Sequence, residues 1–117
     1  ETSAEAEDYF QHLVHDNGDW ATADYWESVI GGSQSIPAEA LPMLRERVIS
    51  GQSILLLKGN PDEVAQQFKE LSDEGLDGMA FGLPNFIDDL PIIRDEVMPR
   101  MEALGLRIPG TGLVDAV

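Results

Sequence analysis

Four consecutive apolar residues, Ile54-Leu55-Leu56-Leu57, run straight into Lys58-Gly59-Asn60-Pro61-Asp62-Glu63, and no other stretch constrains this chain as tightly. The run does not alternate with polar residues, which suits a strand covered on both faces. Gly59 ends it, Asn60 is a good N-cap, Pro61 is a favoured first helical residue, and Glu63 completes a capping box. Val64, Phe68 and Leu71 then recur at helical spacing until Gly75. A second short apolar run, Gly78 to Phe81, ends in Gly82-Leu83-Pro84, and a last helix is expected to start near Asp88 or Asp89. Leu90, Ile93, Val97, Met101 and Leu104 form its stripe, Gly105 closes it, and Pro99 should bend it or remove a hydrogen bond.

Strand, helix, strand, helix with short turns is the pattern of a right-handed parallel crossover. The expected class is therefore α/β over residues 51–105. Two parallel strands leave unpaired backbone on their flanks, so they need further strands from an upstream segment, another chain or an exchanged copy. The sequence opens on Glu1 rather than Met, in keeping with an expected upstream segment.

Residues 1–50 read as helical. Thr2 and Glu5 have capping-box spacing ahead of a helix to about Asp16, with Phe10, Leu13 and Val14 as its stripe. Asn17-Gly18 should stop it through a left-handed backbone. Asp19 caps a second helix from Trp20 to about Ile30, carrying Tyr25, Trp26, Val29 and Ile30. Gly31 to Ser35 reads as a flexible hinge. Pro37 should open a third helix with Leu41, Leu44, Val48 and Ile49 on one side. Residues 106–117 read as an irregular tail.

The 117 residues are 43% hydrophobic, enough for one domain with a core. The 7 Lys and Arg against 22 Asp and Glu give a formal charge of -15, which repels phosphate backbones and anionic lipid. No nucleic-acid or membrane partner is expected. The chain has no cysteine, which excludes disulfides and thiolate zinc sites and fits a reducing, cytoplasmic setting.

Four stretches then resemble a known family: Lys58-Gly59-Asn60-Pro61-Asp62-Glu63-Val64-Ala65, Glu74-Gly75-Leu76-Asp77-Gly78, Asp95-Glu96-Val97-Met98-Pro99, and Leu104-Gly105-Leu106-Arg107. In order and spacing they are similar to the C-terminal part of bacterial luciferase-like flavin-dependent monooxygenases. That family carries a Gly-x-Pro-Glu-Glu-Val-Ala turn after strand seven, a Gly-Val/Leu-Asp-Gly entry to strand eight, and a Glu-Glu-Val-Leu/Met-Pro helix ending in Gly-Leu-Arg. Glu1-Thr2-Ser3-Ala4-Glu5-Ala6 resembles its Glu-Thr-Asp-x-Glu-Ala segment more loosely.

The resemblance implies a partial (β/α)8 TIM barrel, with strands 7 and 8 preceded by a helical excursion over residues 1–50. It implies reduced FMN (less readily a deazaflavin), held mostly by segments outside this sequence, as is the family's usual catalytic His. It also implies dioxygen, a flavin reductase as partner, and a small organic substrate. The chain by itself is expected to be inactive, and a homo-oligomer is expected. In the alkanesulfonate branch a Tyr matches Leu83 and an Arg stands near the position of Ser50, so this sequence points instead to a neutral or apolar substrate. The rival expectation is a non-catalytic interaction module that dimerises through open strand edges.

Barrel chemistry sits at the C-terminal ends of strands. On that basis Gly82, Leu83, Pro84 and Asn85 are expected to line the mouth, with Gly59 and Asn60 next; a purely structural role for each is the alternative. No catalytic acid or base is expected. His12 and His15, three apart on a helix, have metal-pair spacing but no third ligand, and read as exposed histidines. Asp88-Asp89 reads as helix capping and Asp73-Glu74 as a structural helix end. Trp20, Tyr25 and Trp26 read as an aromatic cluster packing a helix, with a substrate entrance as the alternative.

Overall fold

Local sequence signals place most of the helices. The computed structural model of the protein describes residues 2–30, 36–51 and 55–109. In chain order they form α1 (Ser3–Phe10), a π-helical segment π1 (Gln11–Asp16), α2 (Trp20–Ile30), a 3-10 turn (Ala38–Ala40), α3 (Leu41–Gly51), α4 (Pro61–Asp73), α5 (Phe86–Ile92), a second π-helical segment π2 (Ile93–Val97) and α6 (Met98–Ala103). The hinge expected at 31–35 and the tail beyond Pro109 lie outside the described residues, as does Ile54.

The expected α/β class is overturned. Among the described residues there is no strand, no sheet and no barrel, and the fold is all-α. Leu55 to Leu57 and Leu76 to Leu83 are irregular, in place of the expected barrel strands 7 and 8. The reason is relational. A helix closes its hydrogen bonds within its own segment, whereas a strand exists only when a neighbour accepts and donates along its ladder. Neither 55–57 nor 77–83 makes a hydrogen bond among the described residues. Their apolar side chains stay open: Leu55 is 56% exposed and Phe81 46%. The domain reading of one helical excursion followed by two β/α units therefore fails in its second part.

The chain divides into two units. The first is Ala4–Leu57, where α3 packs against α2, π1 and the 3-10 turn. Val14 and Ala23 are its buried apolar residues. Gly18 is required here by space rather than by a left-handed backbone: a Cβ would fall 2.1 Å from the Val14 carbonyl oxygen and 2.7 Å from Ile49 Cγ2. Asn17 sits at φ -123°, also not left-handed, and ends π1 by donating its amide N–H to the His12 carbonyl at 3.2 Å. Asp19 caps α2 as expected, accepting from the Thr22 amide at 2.9 Å and from its hydroxyl at 2.6 Å.

The second unit joins Glu1–Ser3 to Lys58–Val117. Its helix α4 carries the full capping box read from the sequence: Asn60 Oδ1 accepts from the Glu63 amide at 3.0 Å, and Glu63 Oε2 accepts from the Asn60 amide at 2.9 Å. Gly75 (φ 102°) and Gly105 (φ 75°) close α4 and α6 in left-handed turns. Pro61, Ala65 and Phe68 of α4 are buried, as is Val97 of π2, where α4 packs against π2 and α6.

The last helical stretch begins earlier than expected, at Phe86, because Asn85 rather than Asp88 is its cap. Proline does not break it. Pro99 has no N–H for the Asp95 carbonyl, but it falls in the first turn of α6, directly after π2, where a proline is tolerated.

Candidate functional site

Gly59 and Asn60, expected beside a ligand, start α4, and Asn60 also lines a cleft. Gly59 adopts φ 146°, and a Cβ there would meet Glu63 Oε2 at 2.5 Å, so the close approach is made by the chain's own carboxylate. Asn60 uses Oδ1 on the Glu63 amide, and its Nδ2 donates to Ser3 Oγ at 3.0 Å. Ser3 Oγ in turn donates to Glu63 Oε2 at 2.7 Å. Those bonds, with the Asn60 amide, hold the Glu63 carboxyl below its ordinary value of 4.5. Ser3 was not legible as a partner, because 60 residues separate it from Glu63 and no local motif spans that distance.

A cleft of about 520 Å³ lies beside this network, lined by Thr2, Ser3, Asn60, Asp62, Ile92, Glu96 and Arg100 among others. Arg100 is already engaged, with Nε on Asp62 at 2.6 Å and Nη1 on Glu96 at 2.9 Å. Ser3 beside a carboxylate has the outline of a nucleophile and its base. Yet Glu63 is held ionised by two donors, the Ser3 hydroxyl and the Asn60 amide, which lowers its basicity and makes it an anchor rather than a proton acceptor.

Gly82, Leu83, Pro84 and Asn85 form the approach to α5. Gly82 has open space around it, Leu83 is half-buried and Pro84 is exposed. Asn85 Oδ1 accepts from the Ile87 amide at 3.1 Å, its Nδ2 donates to Asp88 at 2.6 Å, and its own amide donates to Asp89 at 2.9 Å. Asp88 and Asp89 thus serve the helix start, as read from the sequence. Among the described residues no hydrogen bond joins Gly59 or Asn60 to any of residues 82–85. Gly59 and Asn60 stand at the entry to α4, and residues 82–85 at the entry to α5. Phe81 is the member of this stretch with a firm anchor, its ring 6.1 Å from that of buried Phe68 at 63°.

The histidines diverge. Residues 11–16 wind as a π-helix, so positions three apart no longer share the face that α-helical spacing gives them. His12 Nδ1 lies 4.0 Å from Asp16, while His15 Nε2 lies 3.6 Å from Glu46. The His15 ring packs against Phe10 and Trp20, at centroid distances of 5.9 and 5.8 Å. No group of three or more potential metal ligands exists among the described residues. Trp20 packs under the Arg45 guanidinium, 5.6 Å from its ring centroid, whereas Tyr25 is 71% exposed, so the aromatics do not form one cluster.

Flavin fits these residues poorly. A flavin phosphate needs unoccupied donors or a cation. The α4 N-terminus is filled by the Glu63 carboxylate with Asp62 beside it, and Arg100 is paired twice. Comparison with protein-family models, with curated proteins and with solved structures finds no match.

Proposed function

We propose that this chain is a component of a flavin-dependent monooxygenase that oxidises a small neutral or apolar organic substrate with dioxygen and reduced flavin. The observation that carries this reading is the order and spacing of four motifs between Lys58 and Arg107. The three glycines of positive φ among the described residues, Gly59, Gly75 and Gly105, all fall inside those motifs. That coincidence supports treating them as one structural pattern, although each glycine also has a local reason to be there. FMN is the proposed flavin, its contacts made by polypeptide other than the residues described, because these do not offer a phosphate site. A flavin reductase and a cytoplasmic setting belong to the same proposal; no described helix is long and apolar enough to cross a membrane.

The test is an oxygen-uptake assay on the native assembly that contains this chain, supplied with enzymatically reduced FMN and a panel of aldehydes, sulfides and apolar cyclic ketones. Oxygenated product in proportion to oxygen consumed supports the proposal. Uptake no faster than that of free reduced flavin, with no product, contradicts it.

A second reading is a non-catalytic interaction component. It is favoured by the open apolar side chains of 55–57 and 76–90, among them Leu56 at 41%, Phe86 at 61% and Ile87 at 85% exposure. Copurification of a stoichiometric partner with no oxygenase activity in the assembly separates this reading from the first.

A further inference from the structure

We infer that residues 76–83 are a docking edge for an extended, Lys- or Arg-bearing apolar segment of another protein, which adds to this edge by backbone pairing. The inference rests on the exposed second-unit strip and is independent of the flavin proposal. Met79, Phe81 and Leu83 recur at every second position, while Gly78, Ala80 and Gly82 stand between them. Alternation of that kind sorts side chains to opposite sides of an extended backbone, and small residues on one side let another backbone or side chain approach. Met79 is 39% and Phe81 46% exposed, and neither Gly78 nor Gly82 has a heavy atom within 4 Å of where a Cβ would stand. Residues 77–83 make no hydrogen bond among the described residues, so a row of donors and acceptors is open along the same stretch. Phe81, seated on Phe68, ties the edge to α4 and limits the entropy lost on pairing.

Charge decides among occupants. Between Lys69 and Arg94 there is no Lys, Arg or His, while Glu70, Asp73, Glu74, Asp77, Asp88 and Asp89 are all acidic. Asp73 is already paired with Lys69, and Asp88 and Asp89 accept from Asn85, which leaves Glu70, Glu74 and Asp77 as the flanking charge; a second copy would bring the same acids, and an anionic membrane surface would be repelled as well. A segment with apolar residues toward Met79, Phe81 and Leu83 and cations toward the acids satisfies both demands. Affinity then comes from main-chain pairing and specificity from the flanking charge.

The test uses two labelled probes on the full chain, an alternating valine–lysine peptide and an oligolysine of equal charge, with fluorescence anisotropy read at rising salt. The valine–lysine peptide is expected to bind at least about tenfold tighter and to persist at salt that releases oligolysine. Ala80→Pro removes one backbone donor from the edge without touching the Phe81 anchor and should weaken that peptide by about tenfold or more. Met79→Ser, at an exposed position of the edge itself, should weaken it without altering the helical circular dichroism. Equal binding of the two probes, or binding indifferent to both substitutions, overturns the proposal. So does a salt-resistant self-dimer by sedimentation that excludes the peptide.

Discussion

Gly18 and Gly59 are both indispensable, for different reasons. At Gly18 the obstacle is contact, with the Val14 carbonyl 2.1 Å from where a Cβ would sit. At Gly59 it is conformation as well, since φ 146° is a region that side-chain-bearing residues rarely enter. Gly59→Ala should lower stability by about 1–3 kcal/mol, seen as a lower urea midpoint for loss of helical signal. Asn60→Ala removes the other half of the same turn and should cost about 1 kcal/mol. Glu63 adds a pH dependence with a defined sign. Its folded value lies below the ordinary 4.5, so its contribution is present above that value and is lost as pH falls through the lower folded one. Asp19, lowered by the Thr22 hydroxyl and then the Thr22 amide, acts in the same direction. In an acid titration of the urea midpoint, Glu63→Gln should flatten the fall below about pH 4.5. An unchanged slope would show that the Ser3–Asn60–Glu63 network does not stabilise the folded state.

At the scale of elements, both π-helical segments deliver a fully buried side chain, Val14 from π1 and Val97 from π2, the largest such side chains among the described residues. Val97→Ala should therefore destabilise the second unit by about 2 kcal/mol, measured by urea unfolding, whereas the same change at Val29, 64% exposed, should cost far less. The helices were legible because their signals are local: Asn60-Pro61-x-Glu63 starts α4, Asp19 starts α2, and Gly75 and Gly105 stop α4 and α6. The π windings were not, since an i→i+5 register carries no distinctive residue pattern. The three-residue spacing of His12 and His15 falls in π1, so an α-helical face cannot be read from it. The strands failed for a deeper reason. An apolar run such as Leu55-Leu56-Leu57 states only that burial is wanted, and whether it becomes a strand depends on neighbours that its own sequence does not contain. Gly59, Asn60 and residues 82–85 were joined as one site only through the barrel expectation, not by any local signal.

For the whole molecule, the described residues bury few large apolar side chains and leave many open, from Leu55 and Leu56 to Phe86 and Ile87. Burial is the main favourable term in folding, so such a chain has apolar surface in reserve for a partner. Two consequences can be measured. The chain alone should leave the fluorescence of added FMN unquenched, because the α4 N-terminus beside the cleft is occupied by carboxylate; marked quenching would mean that a flavin site exists within it after all. The central claim, that the chain is helical with two apolar segments lacking strand partners, is tested most directly by amide hydrogen exchange resolved by residue. The account predicts strong protection for the interior of α4 and exchange close to unprotected rates for residues 55–57 and 77–83. Slow exchange in both of those segments, matching that of α4, would reveal a paired ladder and contradict it.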